Sequence, residues 1–531
     1  MTSGCTNRFF RKLLPSSLSW SRGGGQREQE KQSSAGNQKL QEEHSSAVPL
    51  SLGVQHINHH SKEHHADVMG CSYLPHKGRI LTAKRAFSDG EIILAESPLH
   101  IVQEDESSAA FEHLQGLCKK YSDDFDYDPL WFWCALKSLT GDQLHGAKFG
   151  GWKGTDAITQ RNLLLLHHDE VHESSSASDI LAHELAPGAD PILIERLTQI
   201  WVLNCFEYSD DPQGYSTYFF SSFMSHSCWP NAVWHYSGAD HVLRARRKIE
   251  FGDEVTISYL PEHGLMQAAP LRRLELHDTK RFWCTCERCT GAHDNSRGFK
   301  CPRCEDGKVF SRTPEPGPAK DATLMSQHLV GVSCDSCGEA LTKRDVSRLV
   351  GHEKKLKKIV DDYALRNNGS KASPDLAELQ AAEDFIDSIF AQHALADLAW
   401  EQLAEFHGRK RRYAKQRQML DRRCRFHACA YEGLNGSHAW MMESQGDAMM
   451  RSSASSKASG QKNSKAKVWQ ATAKEDPQGA CRLYNEAFAI LSLMFGKDHE
   501  YAAQVDRKHR VAQRAVDALG GDEAASGRLQ L

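Results

Sequence analysis

Eight of the chain's 16 cysteines lie between Cys228 and Cys337, in a spacing that few folds tolerate. Cys284, Cys286 and Cys289 read C-x-C-x2-C, Cys301 and Cys304 read C-x2-C, and Cys334 and Cys337 repeat C-x2-C. Cysteines that merely fill a core follow the period of a helix or strand. Thiolates two or three residues apart instead converge on one tetrahedral ion. The first group supplies three ligands and needs a fourth from elsewhere. Cys301, Cys304, Cys334 and Cys337 form a complete four-thiolate set with a long loop inside it. With no coordination position left open, that set reads as structural zinc; the other reading is redox cysteines. A secreted disulfide scaffold would be short and cysteine-dense throughout. Here the remaining cysteines are scattered over 531 residues.

A chain of this length holds about two to four domains. A net charge of -4 with 25% charged residues gives no basic excess, so no direct nucleic-acid binding is expected. No apolar run reaches the ~18 residues of a membrane span. Residues 1–70 read as a disordered tail or a transit peptide. Arg8, Arg11, Lys12, Arg22 and Arg27 come before the first acid, Glu28. The expected compartment is cytoplasm or nucleus, with mitochondrion or plastid as the alternative this basic N-terminus raises. The histidines at 56, 59, 60, 64 and 65 read as part of the solvated tail in preference to a metal site.

Order is expected from Lys77. Residues 79–83 and 91–95 flank Asp89-Gly90 as strand, turn, strand, and 98–103 form a third strand. From Phe111 to Phe206 the apolar period becomes helical, with Trp131, Phe132, Ala135, Leu136 and Leu139 on one face. Strands return at 232–236, 241–246 and 254–259. Beyond Lys343 the chain reads as helices, with Leu376, Leu379, Ile386 and Ile389 on one face and Leu483, Ala487, Ile490 and Met494 on another. A helical-repeat array and a plain bundle both fit this pattern. The fold class is therefore α+β with an all-α C-terminal part.

Three motifs occur in order: MSHSCWPNA (224–232), GDEVTISYL (252–260) and FWCTCERC (282–289). Upstream lie KGRILTAKRAF and DGEIIL. Together they resemble the SET domain of protein-lysine methyltransferases. The helical insertion and helical tail are most similar to the SET-and-MYND (SMYD) branch. The resemblance implies these parts: 77–103, the N-terminal SET part; 104–206, a helical insertion; 207–260, the C-terminal SET part; 261–290, a post-SET zinc segment; 299–342, a second zinc module; and 343–520, a TPR-like helical domain. It implies S-adenosylmethionine as cofactor, contacted by Lys77, Gly78, Arg79, Asn204, Ser222, Ser225, His226, Tyr259 and Phe282. Tyr259 is implied as the catalytic residue, and Cys228 as the fourth ligand beside Cys284, Cys286 and Cys289. The implied substrate is a protein lysine, histone or non-histone, and the chain is expected to act as a monomer.

Two positions depart from the family pattern. Ile80 stands where a second glycine is expected, and Ser225 where an asparagine is expected. Between Leu94 and Asn204 only Cys118 and Cys134 occur, so the branch's MYND finger is expected to be absent. Two other readings stay open: a SET-fold scaffold that has lost turnover, and methyl transfer to histidine or another acceptor.

Overall fold

The computed structural model describes residues 50–526 apart from 76, 151, 314, 316–325 and 452–475. The possible transit peptide lies outside the described residues, as does most of the low-complexity stretch 451–467.

The described chain begins with helix α1 (Leu50–His64) and strand β1 (Met69–Leu74). This corrects the expectation of a tail to residue 70. Ile57 is fully buried, and the Ser61 hydroxyl donates to Met69 O at 2.6 Å. The histidines disguised this helix. The rings of His56 and His60, with His65 just after the helix, pack inward against Phe219 and Phe220, while His59 and His64 are exposed.

β1 pairs antiparallel with β2 (Gly78–Ala83), Met69 opposite Ala83. β3 (Ile92–Glu96) does not pair with β2, so the expected strand-turn-strand unit is corrected. The linker instead crosses to the other half of the domain. Phe87 bridges Ile249, and Gly90 N donates to Ala245 O at 2.8 Å. β3 then pairs with β9 (Asp240–Ala245), which also pairs with β8 (Ala232–Ser237). β4 (His100–Gln103) pairs with β6 (Gln213–Thr217), beside β5 (Phe206–Asp210).

Between β4 and β5 run α2 (Ala109–Lys120), α3 (Pro129–Lys137), α4 (Ala157–Leu163), α5 (Ser176–Glu184) and α6 (Pro191–Asn204). Asp156, Ser175 and Asp190 cap the starts of the last three, satisfying amides that lack a helical partner. Trp133 and Trp201 are buried at the centre of this insertion, and Trp201 Nε1 donates to Ser138 Oγ at 2.8 Å.

β7 (Ser225–His226) lies parallel to β10 (Thr256–Ile257). The strand expected over 254–259 shrinks to these two residues; just before them Glu254 bridges Thr82, with Val255 N donating to Leu81 O at 2.8 Å. Asn231 Oδ1 accepts from Thr256 N, and its Nδ2 donates to Glu254 O, both at 2.8 Å.

α7 (Ala269–Lys280) and α8 (Glu287–Thr290) lead to β11 (Arg297–Lys300) and β12 (Lys308–Phe310). The third strand of that sheet is β13 (Phe390–His393), from beyond the boundary expected at 342. The Arg297–Glu353 ion pair, 2.8 Å and almost wholly buried, crosses the same boundary.

The helices α9 (Lys343–Asn367), α10 (Leu376–Ile389), α11 (Ala394–Arg409), α12 (Tyr413–Ala430), α13 (Gly436–Met449), α14 (Pro477–Phe495) and α15 (Glu500–Ser526) complete the chain. From α11 onward each packs on the next. Leu376, expected on a buried face, is 49% exposed; it is the first residue of α10, before the helix meets its neighbours. The helical part docks through buried polar contacts. Arg246 pairs with Glu262 at 2.7 Å and donates to Leu434 O, and Glu262 accepts from Gly436 N. No described helix is long and apolar enough to cross a membrane.

Candidate active site and cysteine clusters

Cys228, just beyond β7, meets Cys284, Cys286 and Cys289 from the segment after α7. The Sγ atoms of Cys228 and Cys289 stand 3.5 Å apart. In the second cluster, Cys301–Cys337 and Cys304–Cys334 are 3.8 and 3.7 Å apart. A disulfide would bring sulfurs to ~2.05 Å. A tetrahedron of ~2.3 Å metal–sulfur bonds has edges of about 3.8 Å. The spacing is that of metal ligands.

The surroundings fit as well. Backbone amides turn toward the sulfurs: Cys228 N to Cys286 Sγ at 3.3 Å, Arg303 N to Cys301 Sγ and Ser336 N to Cys334 Sγ, both at 3.4 Å. Four thiolates around a divalent ion leave two negative charges. Arg272, fully buried, points Nη2 at Cys289 Sγ from 3.5 Å. In the second cluster the backbone is pressed onto the sulfurs. A Cβ on Gly307 would sit 2.1 Å from Cys334 Sγ, so only glycine fits there.

The first cluster leads directly to the aromatic centre. His226 Nδ1 accepts the Tyr259 backbone N–H at 2.9 Å. The imidazole proton therefore resides on Nε2, which faces Cys228 Sγ at 3.2 Å. Burial lowers the His226 pKa to about 3, so the ring stays neutral. The rings of His226, Tyr259 and Phe282 lie 5.4 to 6.2 Å apart. Tyr259 OH donates to Met224 O at 2.6 Å. Packing around the phenol, and the Glu254 carboxylate, raise its pKa, although 39% of the residue's surface stays open. The phenol is therefore neutral and has lone pairs to spare.

The structure thus gathers Ser225, His226, Tyr259 and Phe282. Ser225 Oγ is buried without a hydrogen-bond partner. Gly78 has φ +84°, with no atom within 4 Å of where a Cβ would stand. Its neighbour Lys77 reaches the same region, pairing with Glu254 at 2.6 Å. Arg79 lies over the Phe223 ring, 4.9 Å from its centre. Ile80 is buried, on the face of β2 opposite Leu81.

Two expected contact residues are differently engaged. Asn204 Nδ2 donates to His167 O and Ile200 O, at 2.8 and 2.7 Å, and Ser222 Oγ donates to Tyr218 O at 2.6 Å. Sequence reasoning missed Lys280, whose Nζ donates to Leu203 O at 3.0 Å, next to Asn204, and whose pKa burial lowers. It also missed Arg272. A lysine or arginine in a polar helix looks solvated until its neighbours are known.

A sequence model described as the SET domain matches residues 78–260. The chain contains a SET domain. Its SET region is similar to that of a mouse protein named histone-lysine N-methyltransferase SMYD3, at 40% identity over 111 residues, 20% of this chain and 24% of that protein. A longer match, 24% identical, covers 60% of this chain and 72% of the Arabidopsis thaliana protein named histone-lysine N-methyltransferase ASHR1. The chain therefore spans about a quarter of SMYD3 and most of ASHR1 in these matches. A solved SET domain of LSMT, bound to lysine and AdoHcy, overlays with a TM-score of 0.30 at 10% identity, covering 74% of this chain and 96% of that one. Both elements at the heart of this site, β7 and β10, fall inside the matched SET domain.

Proposed function

We propose that this SET protein transfers a methyl group from S-adenosylmethionine to the ε-amine of a lysine in a protein substrate. The observation that carries the reading is Tyr259, whose backbone is fixed by His226 and whose hydroxyl is fixed on Met224 O. The orphaned Ser225 hydroxyl and the open space at Gly78 support a ligand beside it. On this reading Ser225, His226 and Phe282 hold the cofactor, with Lys77, Gly78 and Arg79 at its other side. Asn204 and Ser222 would line the site with side-chain protons already committed to backbone carbonyls.

The cofactor supplies an electrophilic methyl on a sulfonium centre. The protein's part is positioning. A free lysine titrates near 10.4, and the attacking amine must be neutral. Its proton is not taken by His226, whose Nδ1 is occupied, nor by Glu254, which is paired with Lys77. Desolvation of the entering lysine lowers its pKa instead, and the proton leaves to solvent. Tyr259, its own proton on Met224 O, accepts a hydrogen bond from the amine and aims the nitrogen lone pair.

Both cysteine clusters hold structural zinc on this proposal, one ion in each. The helical part beyond 343 forms one wall of the substrate groove. The docking of 430–436 on the SET domain, where Trp229 Nε1 donates to Glu432 O at 3.0 Å, supports that arrangement.

A scaffold without turnover is the second reading, favoured by Ile80 and Ser225. Calorimetric titration with S-adenosylmethionine separates the two. Saturable binding supports the enzyme; no binding at millimolar donor removes it.

A further inference from the structure

His60 in α1, His65 just after it and Glu96 at the end of β3 bring three ligand atoms within 4.8 Å of one another. They lie apart from both cysteine clusters. His65 and Glu96 are each about 5% exposed at the side chain, with Nε2 and Oε1 3.9 Å apart. That is too far for a hydrogen bond. His65 Nε2 has no other partner. A buried imidazole nitrogen thus faces a buried carboxylate without hydrogen-bonding to it. Unpaired buried polar atoms are costly, and persist where something else satisfies them.

The chain works to place these groups. Ala66 and Asp67 both adopt left-handed backbone, φ +50° and +55°, turning His65 inward as α1 ends. His60 stacks edge-on against Phe219, and His65 lies on Phe220. Glu96 accepts Phe220 N at 2.6 Å and Ser221 N at 2.9 Å, one on each carboxylate oxygen. Each oxygen keeps a lone pair, so a metal bond does not displace either amide.

We propose that His60, His65 and Glu96 form a third metal site, which takes Zn2+ or another divalent ion that prefers imidazole. Two imidazoles and a carboxylate are a zinc ligand set, with water in the fourth position. A tetrahedron with ~2.1 Å bonds has edges of about 3.4 Å, so the 3.9 Å gap closes by roughly half an ångström on binding. The ion fastens α1 to the amides of Phe220 and Ser221. Those residues open the turn that runs into Ser225 and His226, so the metal braces the strand carrying the candidate cofactor contacts.

The test is metal content per chain in the full-length protein, purified with zinc and freed of loose metal by gel filtration. Wild type is expected to hold three equivalents. His60→Ala, at a half-buried position, and His65→Phe, which keeps a ring on Phe220, are each expected to hold two. Cobalt exchange identifies which site is lost, because thiolate-to-cobalt absorption from the cysteine clusters stays unchanged. Two equivalents in wild type overturn the proposal, as do three retained in both variants.

Discussion

The two cysteine clusters use the same ligands for different ends. The first joins residues far apart in sequence, Cys228 to Cys286 across 58 positions, and lies against buried Arg272. Its Cys228 sulfur receives the His226 N–H, and His226 in turn holds the Tyr259 backbone. The second is local and nearer the surface, with Cys337 exposed and Cys304 half-buried. Its neighbour Arg303 pairs with Asp345 at the start of α9, joining the module to the helical part. Metal chemistry alone does not set the consequence of losing a site. What the ligands touch next does.

The largest expected effect is at the first cluster. Cys286→Ser removes a ligand and the acceptor for Cys228 N. Stability should fall by about 4 kcal/mol or more, as for loss of a structural metal, and donor binding should be lost with it. Urea unfolding followed alongside calorimetry checks both; intact donor binding would break the proposed link from the cluster to Tyr259.

Arg272→Met keeps the volume and removes the countercharge. Breaking such a buried charge interaction costs about 3 kcal/mol. The variant should release zinc to a competing chelator faster than wild type, from the first cluster only. Cys337→Ser should cost less, about 1–3 kcal/mol, because its surroundings are open to water. Metal content should fall by one while donor affinity stays within about twofold; a larger loss of affinity would erase the distinction between the clusters.

The smallest effect is expected at Ile80, on β2 and away from both clusters. Ile80→Gly removes a buried branched side chain two positions from Gly78 and, at a cost in stability, should tighten the donor by several-fold, about 1 kcal/mol, measured by calorimetry. Unchanged affinity would mean that Ile80 does not face the cofactor.

Much of this was legible in the residues. The C-x-C-x2-C and C-x2-C spacings announced both clusters because ligand geometry is local. The strand at 232–236 and the helices of 111–206 followed from period. Pairing was not legible. Nothing in 79–95 says that β2 joins β1 and that β3 crosses to β9, since several partners suit a short apolar strand. The N-terminal helix was hidden by histidines, which count as polar in sequence but pack as rings against Phe219 and Phe220. β13 was hidden for a related reason. FAQH continues a helical pattern, and only its partner Arg297–Phe299 makes it a strand. Lys280 and Arg272 looked solvated because their burial comes from segments distant in sequence.

The central claim is methyl transfer positioned by Tyr259, and Tyr259→Phe tests it most directly. The change removes one hydroxyl and its bond to Met224 O while keeping the ring beside His226 and Phe282. With labelled S-adenosylmethionine and a lysine-bearing protein substrate, turnover should fall at least about 10-fold, or ~1.4 kcal/mol in barrier. Donor affinity by calorimetry should stay unchanged. Turnover equal to that of the parent protein, with the donor bound equally well, would contradict the assignment.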